Sequence, residues 1–106
     1  MITFKQFTEL DLRIAEIVSA ESHPNADKLL VLKINVGDAQ KQIVAGIKGH
    51  YEPAELVGRK IVVVNNLQPA MLRGVESQGM LLAAQEAGKV VLVCPDKAVS
   101  VGAKVS

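Results

Sequence analysis

The stretch Lys60-Ile-Val-Val-Val-Asn-Asn-Leu-Gln-Pro-Ala-Met-Leu-Arg-Gly-Val-Glu-Ser-Gln-Gly-Met-Leu-Leu-Ala-Ala84 sets a polar, turn-rich segment between two short apolar runs. Lys60 to Val64 is β-branched and predicts a buried strand; Met80 to Ala84 predicts another. Between them, Pro69 fixes one backbone dihedral, while Gly74 and Gly79 permit positive φ or the close approach of another backbone. A functional loop displayed by a rigid scaffold has this form. It would present Arg73, Ser77, Gln78 and Met80 in a defined arrangement.

Moving towards the N-terminus, Gly46 to Gly58 is a longer connection in which Pro53-Ala-Glu-Leu56 can make one helical turn after the proline. Before it, Gln42 to Ala45 begins a strand, and Leu30, Leu32, Ile34 and Val36 share one face of another, with Lys33 and Asn35 on the opposite face. Ser22-His-Pro-Asn-Ala-Asp27 is punctuated like a turn. Leu12 and Ile14 alternate with Arg13, but the phase slips at Ala15-Glu16 before Ile17-Val18, which predicts a bulge or strong bend. Thr3 and Gln6 have capping-box spacing, and Phe4, Phe7 and Leu10 recur at helical spacing, so residues 4–10 read as a short helix whose apolar side covers one end of the fold. Towards the C-terminus, Val90 to Cys94 is a last strand stopped by Pro95, with Cys94 a small buried residue. Val99, Val101 and Val105 follow as surplus alternating apolar positions.

Short strands joined by turns, without long crossover helices, exclude a parallel sheet and predict an all-β antiparallel barrel. The five-stranded oligonucleotide-binding (OB) barrel is the natural member of that class, here with a short N-terminal helix and a C-terminal extension. The 106 residues, 49% of them hydrophobic, suit one domain over 1–106. Net charge is only +1, but it is unevenly spread: residues 1–27 carry two basic and five acidic groups, and residues 28–73 carry seven and three. The middle of the chain is therefore +4 and the N-terminal part −3. One cysteine permits no internal disulfide, the start of the chain lacks the form of a signal peptide, and no apolar run is long enough to span a bilayer. A soluble, cytoplasmic protein is the expectation.

Enzymatic and metal chemistry find little footing. His23, His50 and Cys94 are the only nitrogen and sulfur metal-ligand candidates and form no short-spaced pair, so neither metal nor cofactor is expected. Ser77 lacks the Gly-x-Ser-x-Gly elbow of a hydrolase. The turn Asn25-Ala-Asp-Lys28 reads as loop closure that presents Lys28. Single-strand binders stack bases on aromatic side chains, and with Phe4 and Phe7 facing the core only Tyr51 would be left as a platform. On the residues alone, a solvated loop cation and the start of a strand describe Arg73, Ser77 and Met80 as well as a binding edge does.

The run Asn66-Leu67-x-Pro69-x-x-x-Arg73-Gly74-x-x-Ser77-x-Gly79-Met80, followed by Leu-Leu-Ala-Ala, resembles the signature of the tRNA-binding domain appended to methionyl-tRNA synthetases. Asp11-Leu-Arg-Ile-Ala15, His23-Pro-Asn-Ala-Asp-Lys-Leu29, Gln42-Ile-Val-Ala-Gly-Ile47 and Glu55-Leu-Val-Gly58 extend the resemblance, in order, over nearly the whole chain. Similar domains also occur as free-standing tRNA-binding proteins, in an export-related chaperone-like protein and in auxiliary proteins of eukaryotic synthetases. The resemblance implies a non-catalytic module that raises the tRNA affinity of a methionyl-tRNA synthetase, as its C-terminal domain, a beta subunit or a free protein. It implies an RNA-contacting edge of Asn66, Arg73, Ser77 and Met80, with Gln78 able to bond sugar or base edges and Lys28 and Lys33 on the neighbouring face. It also implies a homodimer, for which Phe4, Val99, Val101 and Val105 supply apolar surface. The chaperone-like relative implies an alternative, a peptide-binding protein on the same barrel, which a groove of exposed apolar residues would favour. Ala70-Met71 stand where the family often has basic residues, which weakens the expected electrostatic contribution.

Overall fold

The computed structural model describes all of residues 1–106. Its strands follow the alternation read from the sequence. In β2 (Leu30–Asn35), Leu30, Leu32 and Ile34 all lie on one face and are buried, Val36 continues the series, and Lys33 points to solvent. β1 (Leu12–Ser22), β3 (Gln40–Ala45), β4 (Lys60–Val64) and β7 (Met80–Leu81) join β2 in the antiparallel order β3-β2-β1-β4-β7. Side chains from their inner faces, among them Ile17, Leu32, Ile43, Ile61 and Val63, make one core, each contributing about 1.5–3 kcal/mol by leaving water.

β1 is long enough to serve two neighbours. Its first half pairs with β4 and its second with β2, and the register with β2 shifts between Ile17 and Ser19. The irregularity that the sequence placed at Ala15-Glu16 is therefore present two residues later, where the strand bends into the barrel. β10 (Lys104–Val105) lies along the opposite edge of β1 from β4, so that Leu12 faces both Val64 and Val105. This closure depends on two glycines. Gly37 and Gly102 both have positive φ, and a Cβ on Gly37 would stand only 2.8 Å from the Gly102 Cα. Gly102 N–H then donates to the Ile14 carbonyl at 2.8 Å.

The helices and the last strands differ from expectation. α1 (Phe4–Thr8) has the expected capping box, with Gln6 N–H donating to Thr3 Oγ1 at 3.1 Å and Thr3 N–H to Gln6 Oε1 at 2.8 Å. It ends before Leu10 and buries none of its residues: Phe4 is 81% exposed. A helix of five residues presents too narrow a face to cover the barrel end, so the expected core contacts of Phe4 are not made. α2 (Pro53–Leu56) is the predicted single turn and buries Leu56. The predicted strand 80–84 is split at Leu82: β7 pairs with β4, whereas β8 (Ala83–Glu86) turns away to form a hairpin with β9 (Lys89–Leu92). β9 ends before Pro95, which leaves Cys94 exposed rather than buried.

Candidate functional site

The segment between β4 and β7 is itself structured. Ala70–Leu72 (β5) and Val75–Ser77 (β6) form a hairpin whose closing pair is Leu72 with Val75. The two turn residues, Arg73 at φ 54° and Gly74 at φ 87°, are both left-handed, as a two-residue type I′ turn requires because its twist matches that of the strands. Asparagine and glycine usually supply such turns; here an arginine occupies the strained position. Its guanidinium is exposed and takes part in no intramolecular hydrogen bond or ion pair.

Ser77 and Gln78 bond to the edge of β3 and close the barrel. Val44 N–H donates to Ser77 Oγ at 2.9 Å, and the hydroxyl donates in turn to the Gly79 carbonyl at 2.9 Å. Gln42 N–H donates to Gln78 Oε1 at 2.9 Å, while Gln78 N–H donates to the Gln42 carbonyl at 2.8 Å. Side-chain oxygens thus satisfy the edge of β3 where a neighbouring backbone would otherwise be needed. Ser77, expected on the RNA-contacting edge, is 5% exposed with its hydroxyl both accepting and donating within the barrel. Gly79 is required beside it, since a Cβ there would lie 3.0 Å from the Val64 carbonyl at φ +154°.

Asn66 is also a tie. Its Oδ1 accepts from Asp11 N–H at 2.8 Å and its Nδ2 donates to the Glu9 carbonyl at 2.7 Å, which fixes the loop root to the segment before β1. That segment carries the main charged cluster. Arg13 pairs with Asp11 and Asp38, each at 3.0 Å, and Asn65 Nδ2 donates to Asp11 at 2.9 Å. The hydrogen bond from Arg13 holds the Asp11 carboxyl below the ordinary range, with Asn65 adding to it and burial opposing it.

The expected site residues on the surface are Arg73 at the hairpin tip, Met80 at 46% exposure on β7, Lys28 and Lys33, together with Asn66, whose amide is already bonded within the chain. Lys28 lies in the turn that docks on the hairpin. Lys33 is on the outer face of β2, its ammonium donating to Gln42 Oε1 at 2.6 Å. Between hairpin and barrel runs an open groove of about 440 Å³, walled largely by apolar side chains including Val44, Ile47, Leu67, Leu72, Met80 and Leu81. Met71 stands on the same hairpin at 65% exposure, an apolar residue displayed where the resemblance led one to look for positive charge. Tyr51 offers no stacking platform: the Arg59 guanidinium lies 5.3 Å from the centroid of its ring, and its hydroxyl accepts from Leu92 N–H. No group of three or more His, Cys, Asp or Glu is gathered as metal ligands would be.

Sequence reasoning missed the hairpin and the residue that holds it. His23 is 4% exposed; its Nδ1 accepts from Asn25 N–H at 2.9 Å and its Nε2 lies 2.9 Å from the Leu72 carbonyl. The available signal was Leu-Arg-Gly-Val between alternating residues, a weak hairpin cue without asparagine or aspartate.

The family model described as "Putative tRNA binding domain" matches residues 12–104. The chain belongs to that family. Its OB-like barrel is the tRNA-binding-domain fold: the MetRS-related protein of Pyrococcus horikoshii superposes with a TM-score of 0.93 at 36% identity, covering 100% of this chain and 98% of that one. The chaperone CsaA of Bacillus anthracis str. Ames superposes at 0.90 and 37% identity, covering 100% and 99%. In sequence, the methionine–tRNA ligase of Pyrococcus furiosus is 54% identical over 104 residues, 98% of this chain but 14% of that enzyme. This tRNA-binding domain is thus homologous to a small part of a synthetase. No helix is long and apolar enough to cross a membrane.

Proposed function

We propose that this barrel is a non-catalytic tRNA-binding module that strengthens the tRNA contact of a methionine–tRNA ligase, joined to it or acting beside it in the cytoplasm. The observation that carries the reading is Arg73: a free guanidinium held on a rigid turn, next to the exposed Met80, in a chain of this family. Arginine suits bidentate phosphate contact, and Lys28 and Lys33 extend the cationic surface. Asn66, Ser77 and Gln78 serve the site by fixing its frame. With Tyr51 covered by Arg59 and the exposed Phe4 taken up in pairing two copies, the module selects folded RNA through backbone, 2′-hydroxyl and a few base contacts. A second contact tethered to the catalytic one raises affinity by local concentration, without altering the chemistry. Pairing of two copies through Met1, Ile2, Phe4, Leu10 and Val99, all exposed, would cover this apolar surface and double the RNA-binding area.

The apolar groove favours a second reading, capture of an extended apolar peptide, and the similarity to a chaperone accords with it. Filter binding separates the two. Folded tRNA should bind better than a scrambled strand of equal length, with a shallow salt slope corresponding to about two to four phosphates per chain. Equal affinity for both RNAs, together with saturable binding of an apolar peptide that tRNA does not displace, would favour the peptide reading.

A further inference from the structure

We infer that His23 is a positioning residue for the Arg73 hairpin, which it holds only while its imidazole is neutral; the inference rests on the RNA-binding reading above. Both ring nitrogens are committed. Nδ1 accepts from Asn25 N–H at 2.9 Å, so it carries no proton, and a neutral ring must then carry its proton on Nε2. That Nε2–H donates to the Leu72 carbonyl at 2.9 Å, the residue just before the turn. Asn25 adds a longer contact from Nδ2 to the Arg73 carbonyl at 3.5 Å. Two successive carbonyls of the hairpin are therefore held from the turn after β1, and this is the hairpin's side-chain tether on the Arg73 side.

A second proton on the ring would sit on Nδ1, aimed at the Asn25 N–H. Donor would face donor, in a residue only 4% exposed. The His23–Asn25 turn must then open, and with it goes the geometry that places Nε2 under Leu72. The charged groups on the surrounding elements are Glu21 on β1, Asp27 and Lys28 in the turn to β2, and Arg73 and Glu76 on the hairpin; none of them is paired with the ring. No carboxylate is thus placed to hold a cationic ring in the folded position. Loss of the neutral ring should therefore free the hairpin tip and lower tRNA affinity.

The test needs two readouts. In the wild-type protein, nitrogen-detected NMR of His23 should show the Nε2–H tautomer, and at whatever pH the ring takes up a second proton, hydrogen exchange at Leu72, Arg73 and Val75 should become faster. For tRNA, loss of the tether should lower affinity about tenfold at constant ionic strength and fixed pH, as loss of one buried hydrogen-bonded contact predicts. His23→Ala should show this weaker affinity. His23→Gln, whose amide can donate to the Leu72 carbonyl, should recover most of the binding. An Nδ1–H tautomer, or hairpin exchange indifferent to the state of His23, overturns the inference without any variant. So does equal tRNA binding by wild type and His23→Ala. If tRNA does not bind the wild type at any pH, the functional reading fails while the NMR titration still decides the tether.

Discussion

Arg73 occupies a backbone conformation that costs a side chain about 1 kcal/mol or more, so its turn is less stable than an Asn-Gly turn would be. Arg73→Asn should therefore keep or raise the melting temperature, by up to about 1 kcal/mol of stability, while it weakens every RNA alike and flattens the salt slope by about one. A variant that loses stability instead would mean that the guanidinium has a structural partner. Ser77 should behave in the opposite way. Removing its hydroxyl leaves the buried Val44 N–H and Gly79 carbonyl without partners, so Ser77→Ala should cost about 1–3 kcal/mol in denaturant unfolding. tRNA affinity at a temperature where the variant remains folded should change much less than in Arg73→Asn. A large affinity loss with full stability would restore Ser77 to the contact surface.

At the level of elements, what could be read in advance depended on how local the cause was. The alternation of Leu30, Leu32, Ile34 and Val36 declares a strand and its buried face within one heptapeptide, and Thr3 with Gln6 declares a cap within four residues; both are present. The segment from Asn66 to Met80 was legible as a displayed loop but not in its division of labour. Whether Ser77 meets solvent or the β3 edge depends on a strand more than thirty residues upstream, and no local pattern carries that information. The same holds for His23, whose partner Leu72 lies 49 residues away. The cluster around Asp11 joins the start of β1 to the β2–β3 turn through Arg13 and Asp38. Because the hydrogen bond from Arg13 holds the folded-state Asp11 carboxyl below its ordinary range, the stability it contributes is present above that range and is lost as pH falls through the folded-state pKa. Unfolding midpoints should thus be flat near neutrality and decline in strong acid, and Asp11→Asn should shrink the decline. The effect should be small, since the cluster is solvent-screened. An unchanged acid profile in the variant would assign the decline to other carboxylates.

On the scale of the whole molecule, the unburied N-terminal helix asks for a partner. Phe4 at 81% exposure is an unusual endpoint for a large apolar side chain. Light scattering should give twice the 11.3 kDa chain mass, and Phe4→Glu should return the protein to a single chain whose barrel still melts cooperatively. It should also bind tRNA more weakly through lost avidity. A wild-type mass equal to one chain would remove the dimer from the account. The pairing of Leu12 with both Val64 and Val105 has another outcome. A polypeptide that enters the barrel at β1 leaves it at β10, one strand spacing away, so the doorway and the exit are the same place. Such a fold can be spliced onto either end of a far larger chain, or between two parts of one, without prising any seam apart. Linker length then adjusts the reach of the RNA contact, and the barrel itself need not change.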